Sequence, residues 1–375
     1  MRVLYIGHTY IVTVNRQKLR ELARFDDIEL MLVVPKKWPD YLKTQYVQPE
    51  DNPSFAFYPT ATLFHGSETL YIYFPNLGLY VRRFQPDIIH VEQGPYALAY
   101  TQAIINKKLF APQAKCLFFT WWNLPYTLKP YWRAVEKFNL RHTDYAITGN
   151  NDARQILRMR GFNGPVKVLP QLGVDTNLFR RLDVTGLKQT LGLTGFTVGF
   201  VGRLVPEKGL VTLVEAFAQL PPDCHLLLVG RGELKSHLLA MAANLGLADR
   251  LHLVDTVPHT DVPLYLNCMD IMVLPSLTTP TWAEQFGHVL IEAMACQTPV
   301  IGSSSAEIPN VIGEAGLIFA EGNVKDLAAK LRQLYDNPQL RVELVQRGLR
   351  RVQDNFTDRR LAKEIYQIYR ELLTG

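Results

Sequence analysis

Short apolar runs alternate with amphipathic segments along the whole chain, and this alternation limits the folds that the sequence can adopt. Strands that are covered by helices on both faces are continuously apolar, because neither face meets water. Such strands belong to parallel sheets, whose crossover connections are usually helices. The pattern therefore predicts an α/β fold. The predicted strands are 3–6, 28–34, 88–91, 117–120, 146–148, 166–169, 197–201, 225–229, 251–254, 271–274, one that starts at 299, and 316–319.

The segments between these runs have the spacing of helices that cover a sheet. The stretch 35–74 is different: it is rich in proline and aromatic residues and is predicted to form loops with short strands. The last segment, 358–373, repeats apolar residues at helical spacing and is predicted as a terminal helix. The other predicted helices are 14–24, 75–84, 95–108, 129–142, 150–160, one from 206 to about 220, 233–245, 261–268, one from 287 to about 296, and 324–336.

Length and composition indicate a soluble globular protein with two domains. The chain has 375 residues, of which 47% are apolar and 20% charged, and 375 residues exceed one domain of ordinary size. No run reaches the ~18–20 apolar residues of a membrane span, and the N-terminus is interpreted as a first strand and not as a signal peptide. The cysteines are far apart without a CxxC pair, which indicates buried thiols in a reducing compartment and neither a disulfide framework nor a zinc site. They are Cys116, Cys224, Cys268 and Cys296.

Positive charge is concentrated in the first half of the chain. Residues 1–180 hold 22 Lys and Arg against 14 Asp and Glu, or +8, whereas residues 181–375 hold 18 against 21, or −3. A basic half is typical of proteins with an anionic partner, such as a phospholipid surface or a charged acceptor, but a solvated basic surface explains the same count. No nucleic-acid motif or concentrated basic run is present. The predicted helix 14–24 lies either on an anionic membrane or, as an ordinary helix, on its own sheet; its cations are Arg16, Lys18, Arg20 and Arg24.

The stretch 275–302 contains a polar loop, an apolar helix and a buried strand, and it places two carboxylates around the start of the helix. Glu284 lies in the loop, and Glu292 lies in the second turn of the helix. A helix N-terminus binds anions, because its first backbone N–H groups have no partner within the helix. Carboxylates beside such a site suit a ligand that carries both hydroxyls and phosphates. The backbone donors would be those of Phe286, Gly287, His288 and Val289.

A second motif, GRLVPEKG, follows the strand 197–201 and begins at Gly202. Pro206 is suited to the first turn of a helix. Arg203 and Lys208 then lie on one ligand-facing edge, where an arginine fork and a lysine ammonium can bind phosphate oxygens. The alternative interpretation is a pair of surface cations in a helix-capping turn.

The two motifs together resemble the signature of the retaining glycosyltransferases of family 4, which have the GT-B fold. The resemblance rests on E-x7-E within EQFGHVLIEAMACQTPVIG and on GRLVPEKG at the family's spacing upstream. The segment 173–179 also resembles the link between the two domains of that family. The resemblance implies two Rossmann-like parallel-sheet domains that face each other across a cleft. The expected domains are an acceptor domain, 1–178 with a crossing helix 356–375, and a donor domain, 179–355.

The resemblance also implies a role for each motif residue. The donor is a nucleotide diphosphate sugar, linked to UDP or GDP. Glu292 binds its ribose and Glu284 its sugar, while Arg203 and Lys208 stabilise the departing diphosphate. No DxD-type pair is present, so metal-independent catalysis without a cofactor is expected. The implied catalytic residues are Arg203, Lys208 and Glu284, and the implied donor-binding residues are Gly7, Gly202, Arg203, Lys208, Glu284, Phe286, Gly287, His288, Val289 and Glu292.

The first half departs from the pattern of the family in two places. Gly7 matches a glycine loop after the first strand, but the usual paired glycines are absent. After the strand 117–120 many members have a histidine that touches the transferred sugar, whereas this chain has two tryptophans and an asparagine. Aromatic faces can stack on sugars, and a core role is the alternative. The candidate acceptor-binding residues are Glu92, for which a structural role is the alternative, Trp121, Trp122 and Asn123.

The function implied by the resemblance is transfer of a sugar, with retention at the anomeric carbon, to a hydroxyl of a glycan or lipid-linked glycan. Cell-surface polysaccharide or glycolipid synthesis at the cytoplasmic face of a membrane is the expected setting. Two alternatives remain open. One is a nucleotide-sugar epimerase, which shares the fold but for which E-x7-E is unsuited. The other is a catalytically weakened binding subunit, which the missing histidine near Trp121 leaves possible.

Overall fold

The computed structural model shows two compact units, each built on one parallel sheet with helices packed against it. This architecture confirms the predicted α/β class with two Rossmann-like domains. The first unit is Met1–Gly173 together with Asp358–Gly375, and the second unit is Val174–Thr357. The residues described are 1–39, 44–50, 54–75 and 77–374.

The first unit contains most of the predicted strands and helices within one or two residues of their predicted ends. Its helices are α1 (Gln17–Leu22), α2 (Leu77–Phe84), α3 (Leu98–Phe110), α4 (Pro130–Arg141) and α5 (Asn151–Met159). Its strands are β1 (Arg2–Ile6), β2 (Glu29–Pro35), β3 (Lys37–Pro39), β4 (Thr44–Tyr46), β5 (Ala56–Thr60), β6 (Thr62–Leu63), β7 (Ile72–Tyr73), β8 (Ile88–Val91), β9 (Lys115–Thr120), β10 (Tyr145–Thr148) and β11 (Val166–Val168).

The sheet of the first unit has the strand order β11-β10-β9-β8-β1-β2-β5. From β1 the chain moves in one direction to β2, whereas from β8 it moves in the other direction to β9, β10 and β11. The order therefore reverses between β1 and β8, which is where open α/β sheets place ligands. Gly7 and Glu92, which follow these two strands, are consequently neighbours, and a Cβ added to Gly7 would lie 3.0 Å from the Cβ of Glu92.

One strand of this sheet, β5, was not predicted individually within the irregular stretch 35–74. It pairs in parallel with β2 over five positions, from Met31↔Ala56 to Pro35↔Thr60. An edge strand is covered on fewer sides, so β5 is partly exposed, contains Pro59 and lacks a continuous apolar run. The pairs β3–β4 and β6–β7 are short antiparallel ribbons in the same stretch. Its residues 40–43 and 51–53 lie outside the described part of the chain.

The second unit repeats the alternation of strands and helices. The prediction missed three helices of this unit, Thr185–Thr190, Ile308–Ile312 and Pro338–Asn355. Its strands are β12 (Thr197–Val201), β13 (His225–Val229), β14 (Leu251–Val254), β15 (Ile271–Leu274), β16 (Val300–Ser303) and β17 (Gly316–Phe319). Its helices are α6 (Thr185–Thr190), α7 (Leu210–Phe217), α8 (Lys235–Asn244), α9 (Val262–Asn267), α10 (His288–Ala295), α11 (Ile308–Ile312), α12 (Val324–Asp336) and α13 (Pro338–Asn355).

The strand order of the second sheet is β14-β13-β12-β15-β16-β17. It reverses between β12 and β15, which pair in parallel at Val198↔Ile271 and Gly199↔Met272. The loops that follow these two strands carry the two motifs of the sequence. The sheet topology therefore brings the segments 202–209 and 275–287 to the same edge of the second unit.

The helix expected to begin at Pro206 is divided into two parts. Pro206–Lys208 form a 3-10 turn, and α7 begins only at Leu210. Between them lies Gly209 in the left-handed conformation, with φ +65°, so that an added Cβ would lie 1.9 Å from the carbonyl oxygen of Pro275. Only glycine allows both the positive φ and this close approach of two backbones.

The terminal helix, α14 (Asp358–Thr374), belongs to the first unit, where it packs against α1. Leu361, Ile365 and Ile368 of the predicted apolar face are buried, which confirms that prediction. Within the described part of the chain, no helix combines the length and the apolar character that crossing a bilayer requires.

The segment 14–24 does not form a basic surface helix, which corrects one of the two interpretations of its charge. α1 covers only Gln17–Leu22 and follows a 3-10 turn, Thr13–Arg16. The Arg16 side chain is buried, and its guanidinium donates to the carbonyl oxygen of Tyr10 at 2.8 Å. Lys18 is also buried. These cations therefore belong to the interior of the first unit.

Lys18 forms a buried ion pair with Glu92, with 3.1 Å between Nζ and Oε1. The Tyr5 and Tyr10 hydroxyls also donate to Oε1, and the Gln171 amide donates to Oε2 at 2.9 Å. Burial opposes ionisation of Glu92, but Lys18 and the other donors outweigh it and lower the pKa of the carboxyl below its usual value. The pair links the end of β8 to α1.

We expect Lys18→Met to lower the free energy of unfolding by ~3–5 kcal/mol, because the variant leaves the buried carboxylate of Glu92 without its cation. Arg24→Met is the control, since Arg24 pairs with Glu21 on the same helical segment with 72% of its side chain exposed and should change stability by less than about 1 kcal/mol. Urea denaturation of both variants measures the difference. Equal losses would contradict the importance of the buried pair.

Gly209→Ala should destabilise the second unit more than Gly246→Ala. Both glycines are left-handed, with φ of +65° and +69°, but only Gly209 has a backbone oxygen against the position of the new Cβ, whereas nothing lies within 4 Å at Gly246. The strain of the left-handed residue, ~1–2 kcal/mol, is common to both. Thermal melting should show an additional loss of about 1–3 kcal/mol for Gly209→Ala, due to the steric clash; similar melting temperatures would show that the two loops separate easily.

Candidate functional site

The two motif loops of the second unit are held together by their backbones. The N–H of Leu277 donates to the carbonyl oxygen of Glu207 at 2.8 Å. Two positions further along, Gly209 lies against the carbonyl of Pro275. The loop after β12 and the loop after β15 therefore form one structural element at the edge of the second sheet.

Lys208 and Glu284 meet where the two loops join. The Lys208 ammonium donates to Oε2 of Glu284 at 2.6 Å, and the hydroxyl of Ser276 donates to the same oxygen at 2.8 Å. The ammonium also lies 4.7 Å from the ring centre of Trp282, within cation–π distance. Glu284 is buried, with 7% of its surface exposed. The structure thus holds a cation and a carboxylate side by side in fixed positions.

Arg203 occupies the first part of the same loop, directly after Gly202. Its guanidinium lies 3.4 Å from Oε1 of Glu207, and 48% of its side chain is exposed. The backbone of Gly202 is packed closely, since a Cβ added to Gly230 would lie 1.9 Å from its carbonyl oxygen. Arg203 therefore projects from a tightly packed turn and adds a second cation to the loop of Lys208.

The helix predicted to open near Gly287 is confirmed as α10. Gly287 precedes it with φ +82°, and an added Cβ would lie 2.7 Å from Cδ2 of Leu274. The first helical turn begins at His288 and Val289, so the positive end of the helix dipole lies next to the loop that carries Glu284. Phe286 is a buried core residue whose ring contacts those of His288 and Phe356.

Glu292, one turn into α10, binds a residue that the sequence did not indicate. Its Oε1 lies 3.0 Å from Nε2 of His259, which begins the 3-10 turn His259–Asp261. The hydrogen bond to Glu292 raises the pKa of His259 above its usual value, although partial burial opposes the shift. The imidazolium–carboxylate pair is therefore present at low pH and is lost as the pH rises through the raised pKa of His259. Thirty-three residues separate the two, so no local pattern could have revealed this contact.

In the first unit, Gly7 and Glu92 are explained by packing. Gly7 has an extended backbone, and an added Cβ would meet Glu92 and the ring of Tyr10 at 3.0–3.1 Å. The carboxylate of Glu92 is enclosed in its ion pair with Lys18. This geometry favours the structural role of Glu92 over contact with an acceptor, and it gives a packing reason for the single glycine after β1.

The residues after β9 differ in exposure. The Trp121 indole N–H donates to Gln171 at 3.0 Å, and its ring covers Gly149, where an added Cβ would lie 1.8 Å from a ring atom. Asn123 is buried, whereas Trp122 is 42% exposed. Through Gln171, Trp121 is linked to the buried carboxylate of Glu92. The structure thus fixes Trp121 and leaves Trp122 as the tryptophan that presents a surface to solvent.

The described residues contain no group of three or more His, Cys, Asp or Glu side chains that could hold a metal ion. The site in the second unit is instead composed of two cations, two carboxylates and a helix N-terminus. Such a set can bind phosphate oxygens at one end and sugar hydroxyls at the other. Three further residues of the site were not predicted from the sequence. Ser276 contacts Glu284, Trp282 contacts Lys208, and His259 contacts Glu292.

Comparison with known proteins gives the family of the second unit. Residues 188–351, which include both motifs, match the model of the family described as Glycosyl transferases group 1. A 2-deoxystreptamine glucosyltransferase of Streptomyces kanamyceticus is 31% identical over 164 residues, or 42% of this chain and 41% of that protein. The capsular polysaccharide biosynthesis glycosyltransferase CapM of Staphylococcus aureus is 29% identical over 48% of this chain and 47% of its own length. The chain thus spans less than half the length of these relatives.

Solved structures match over the whole length of the chain. Sucrose-phosphate synthase from Thermosynechococcus elongatus superposes with a TM-score of 0.73 and 21% identity, covering 100% of this chain and 99% of that one. Anabaena Alr3699/HepE in complex with UDP has a TM-score of 0.76 and 17% identity, covering 99% of this chain and 100% of that one. At these low sequence identities, the superpositions establish a shared fold alone. Residues 188–351 of the second unit, which contain both motifs, are thus similar to the glycosyl transferases group 1 family.

Proposed function

We propose that this chain is a retaining glycosyltransferase that moves a sugar from a UDP- or GDP-linked donor to a hydroxyl acceptor without a metal ion. The observation that carries the proposal is the contact of Lys208 with Glu284, at 2.6 Å, beside the N-terminus of α10. A cation, a carboxylate and a helix dipole in one place suit a ligand with both phosphates and hydroxyls. The name of the UDP complex of HepE supports a nucleotide donor.

In the proposed complex the diphosphate lies against Arg203, Lys208 and the start of α10. Negative charge develops on the diphosphate as the bond to the sugar breaks, and cations that are already in position stabilise that charge without reorganisation. An ammonium has three N–H donors, so the bond from Lys208 to Glu284 leaves donors for phosphate oxygens. The tight backbone contact at Gly209 keeps the cation at this place.

The two carboxylates bind different parts of the donor. Glu284 accepts hydrogen bonds from hydroxyls of the transferred sugar. Because Glu284 contacts Lys208, which binds the diphosphate, the sugar lies next to the diphosphate. Glu292 binds the ribose hydroxyls, which compete with His259 for the carboxylate. Attack by the acceptor on the face that the diphosphate leaves gives retention, and a diphosphate oxygen takes the acceptor proton.

The acceptor is a glycan or a lipid-linked glycan, and the reaction serves cell-surface polysaccharide or glycolipid synthesis on the cytoplasmic side of a membrane. The name of CapM, a relative in capsular polysaccharide synthesis, supports this class. In the first unit, Trp122 exposes an indole face on which a sugar ring can stack. The basic composition of the first half supports an anionic acceptor or an anionic surface.

Nucleotide binding is tested by thermal shift with UDP, GDP, ADP and dTDP, with and without Mg²⁺. One of them in ~100-fold excess over its dissociation constant should stabilise the wild type by about 2.7 kcal/mol, equally without metal. Arg203→Ala should lose this shift. Arg332→Ala is the matched control, because Arg332 also pairs with a carboxylate four residues away and has a similar exposure, 53% against 48%. Dependence on Mg²⁺ would contradict the metal-independent proposal, and absence of every shift would contradict the donor site.

Glu284→Gln should separate binding from transfer. The amide keeps the size of the side chain but removes the charge beside Lys208, so the nucleotide shift should persist while sugar transfer falls by ~10²–10³-fold. Transfer is measured as product formed from sugar conjugates of the nucleotide that gives the thermal shift, and NMR of the product gives the anomeric configuration. Glu343→Gln, on the exposed surface of α13, is the control.

Inverted product would contradict the retaining mechanism. Unchanged function in Glu284→Gln would favour the alternative of a binding subunit, and isomerised donor without transfer would favour an epimerase.

A further inference from the structure

Three helices of the first unit, α2, α3 and α4, pack side by side. Gly78 of α2 lies against α3, where an added Cβ would be 2.6 Å from Oδ1 of Asn106. α4 is joined to the segment just before α3 by the Asn139 amide, which donates to the carbonyl oxygen of Pro95 at 2.8 Å. α3 is therefore the middle helix of a layer, and we call the outer surface of this layer the helical face.

The helical face exposes large apolar side chains along α3 and α2. Ile105 and Leu109, one turn apart on α3, are 45% and 67% exposed, and Leu79 on α2 is 40% exposed. Residues four positions apart form one stripe of a helix. An apolar stripe rimmed by charge is typical of a surface that contacts another phase or molecule.

All exposed charge on the three helices is positive, and every residue of these helices is described. Their single carboxylate, Glu136, is buried and accepts from Nε of Arg160 at 2.9 Å. The exposed charge of the helical face is therefore cationic, which favours an anionic partner. The cations of α2, α3 and α4 are Arg82, Arg83, Lys107, Lys108, Arg133, Lys137 and Arg141.

A cavity of about 230 Å³ opens between α3 and the end of α4, and it is lined by Lys107, Lys108 and Arg141. Nζ of Lys108 lies 2.6 Å from Nε2 of His142. Nδ1 of His142 lies 2.8 Å from the carbonyl oxygen of Phe138, which can only accept a hydrogen bond, so Nδ1 is the donor there and Nε2 faces Lys108. The imidazole thus holds the ammonium at the cavity.

The same cavity contains a hydroxyl and one carboxylate. Oγ1 of Thr143 lies 2.7 Å from the hydroxyl of Tyr100, and the carboxylate of Asp144 accepts the backbone N–H of Cys116 at 2.7 Å. Three cations against one carboxylate leave the cavity positive. Its volume is several times that of a water molecule, ~30 Å³, and suits a phosphate group. The cavity thus concentrates positive charge at one place beside the helical face.

We propose that the helical face docks on the surface of an anionic phospholipid bilayer, with the phosphate of one lipid headgroup in the cavity at Lys108 and Arg141. Ile105 and Leu109 enter the boundary between headgroups and acyl chains, and the surrounding cations attract anionic lipids. The proposal identifies the surface for the membrane setting of the proposed function. Vesicle binding requires neither a donor nor sugar transfer, so the two can fail separately.

The test is co-sedimentation of the full chain at low salt with vesicles of phosphatidylcholine containing phosphatidylglycerol, and with vesicles of pure phosphatidylcholine. The wild type should bind the anionic vesicles and not the neutral ones. The double variant Lys108→Glu/Leu109→Asp should reduce binding by at least about tenfold, because it reverses a charge and removes an inserted side chain. Both positions are exposed, so circular dichroism should show unchanged folding.

The matched control is Val342→Asp/Arg350→Glu on α13, where an aliphatic side chain and an arginine are also exposed. It should bind vesicles like the wild type. Equal loss in both double variants would overturn the assignment to the helical face, and so would binding to neutral vesicles alone or no vesicle binding. Stabilisation by glycerol phosphate without vesicle binding would show that the cavity takes a soluble phosphate ester, which also overturns docking. Loss of the nucleotide shift with intact vesicle binding would affect only the proposed function.

Discussion

The site in the second unit depends on one close approach of two backbones, that of Gly209 to the carbonyl of Pro275. The two residues belong to loops that follow adjacent strands at the point where the strand order of the sheet reverses. Because no side chain separates the loops, Lys208 reaches Glu284 and Ser276 at hydrogen-bond distance. The charge arrangement is thus a consequence of strand order and of a residue without a Cβ.

The corresponding reversal in the first sheet is used differently. There Gly7 and Glu92 also follow adjacent strands, but the carboxylate points into the interior and meets Lys18. A buried ion pair requires all its neighbours to be satisfied, and two tyrosine hydroxyls and Gln171 fulfil that requirement. The same network holds Trp121 through Gln171. The reversal in the second sheet thus carries the candidate site, and the reversal in the first sheet carries a buried network that holds Trp121.

Prediction from the sequence succeeded where a segment is continuously apolar. The strands 197–201 and 271–274 have the predicted bounds because they are buried apolar runs, and the helix 324–336 has them because its apolar residues repeat at helical spacing. It failed for β5, an edge strand with a half-exposed pattern. It left open whether Arg16 and Lys18 lie on a surface or in the interior, since a basic side chain gives no local sign of whether buried oxygens surround it.

The sequence by itself determined the α/β class, the two motifs and the residue types at the site, because periodicity and local chemistry are properties of neighbouring residues. Only the tertiary structure decided which of these residues meet. The contact of Glu292 with His259, the burial of Glu92 and the cavity between α3 and α4 each join positions far apart in the chain. Such contacts depend on strand order and helix packing, and these follow from the burial of the whole core and not from any single segment.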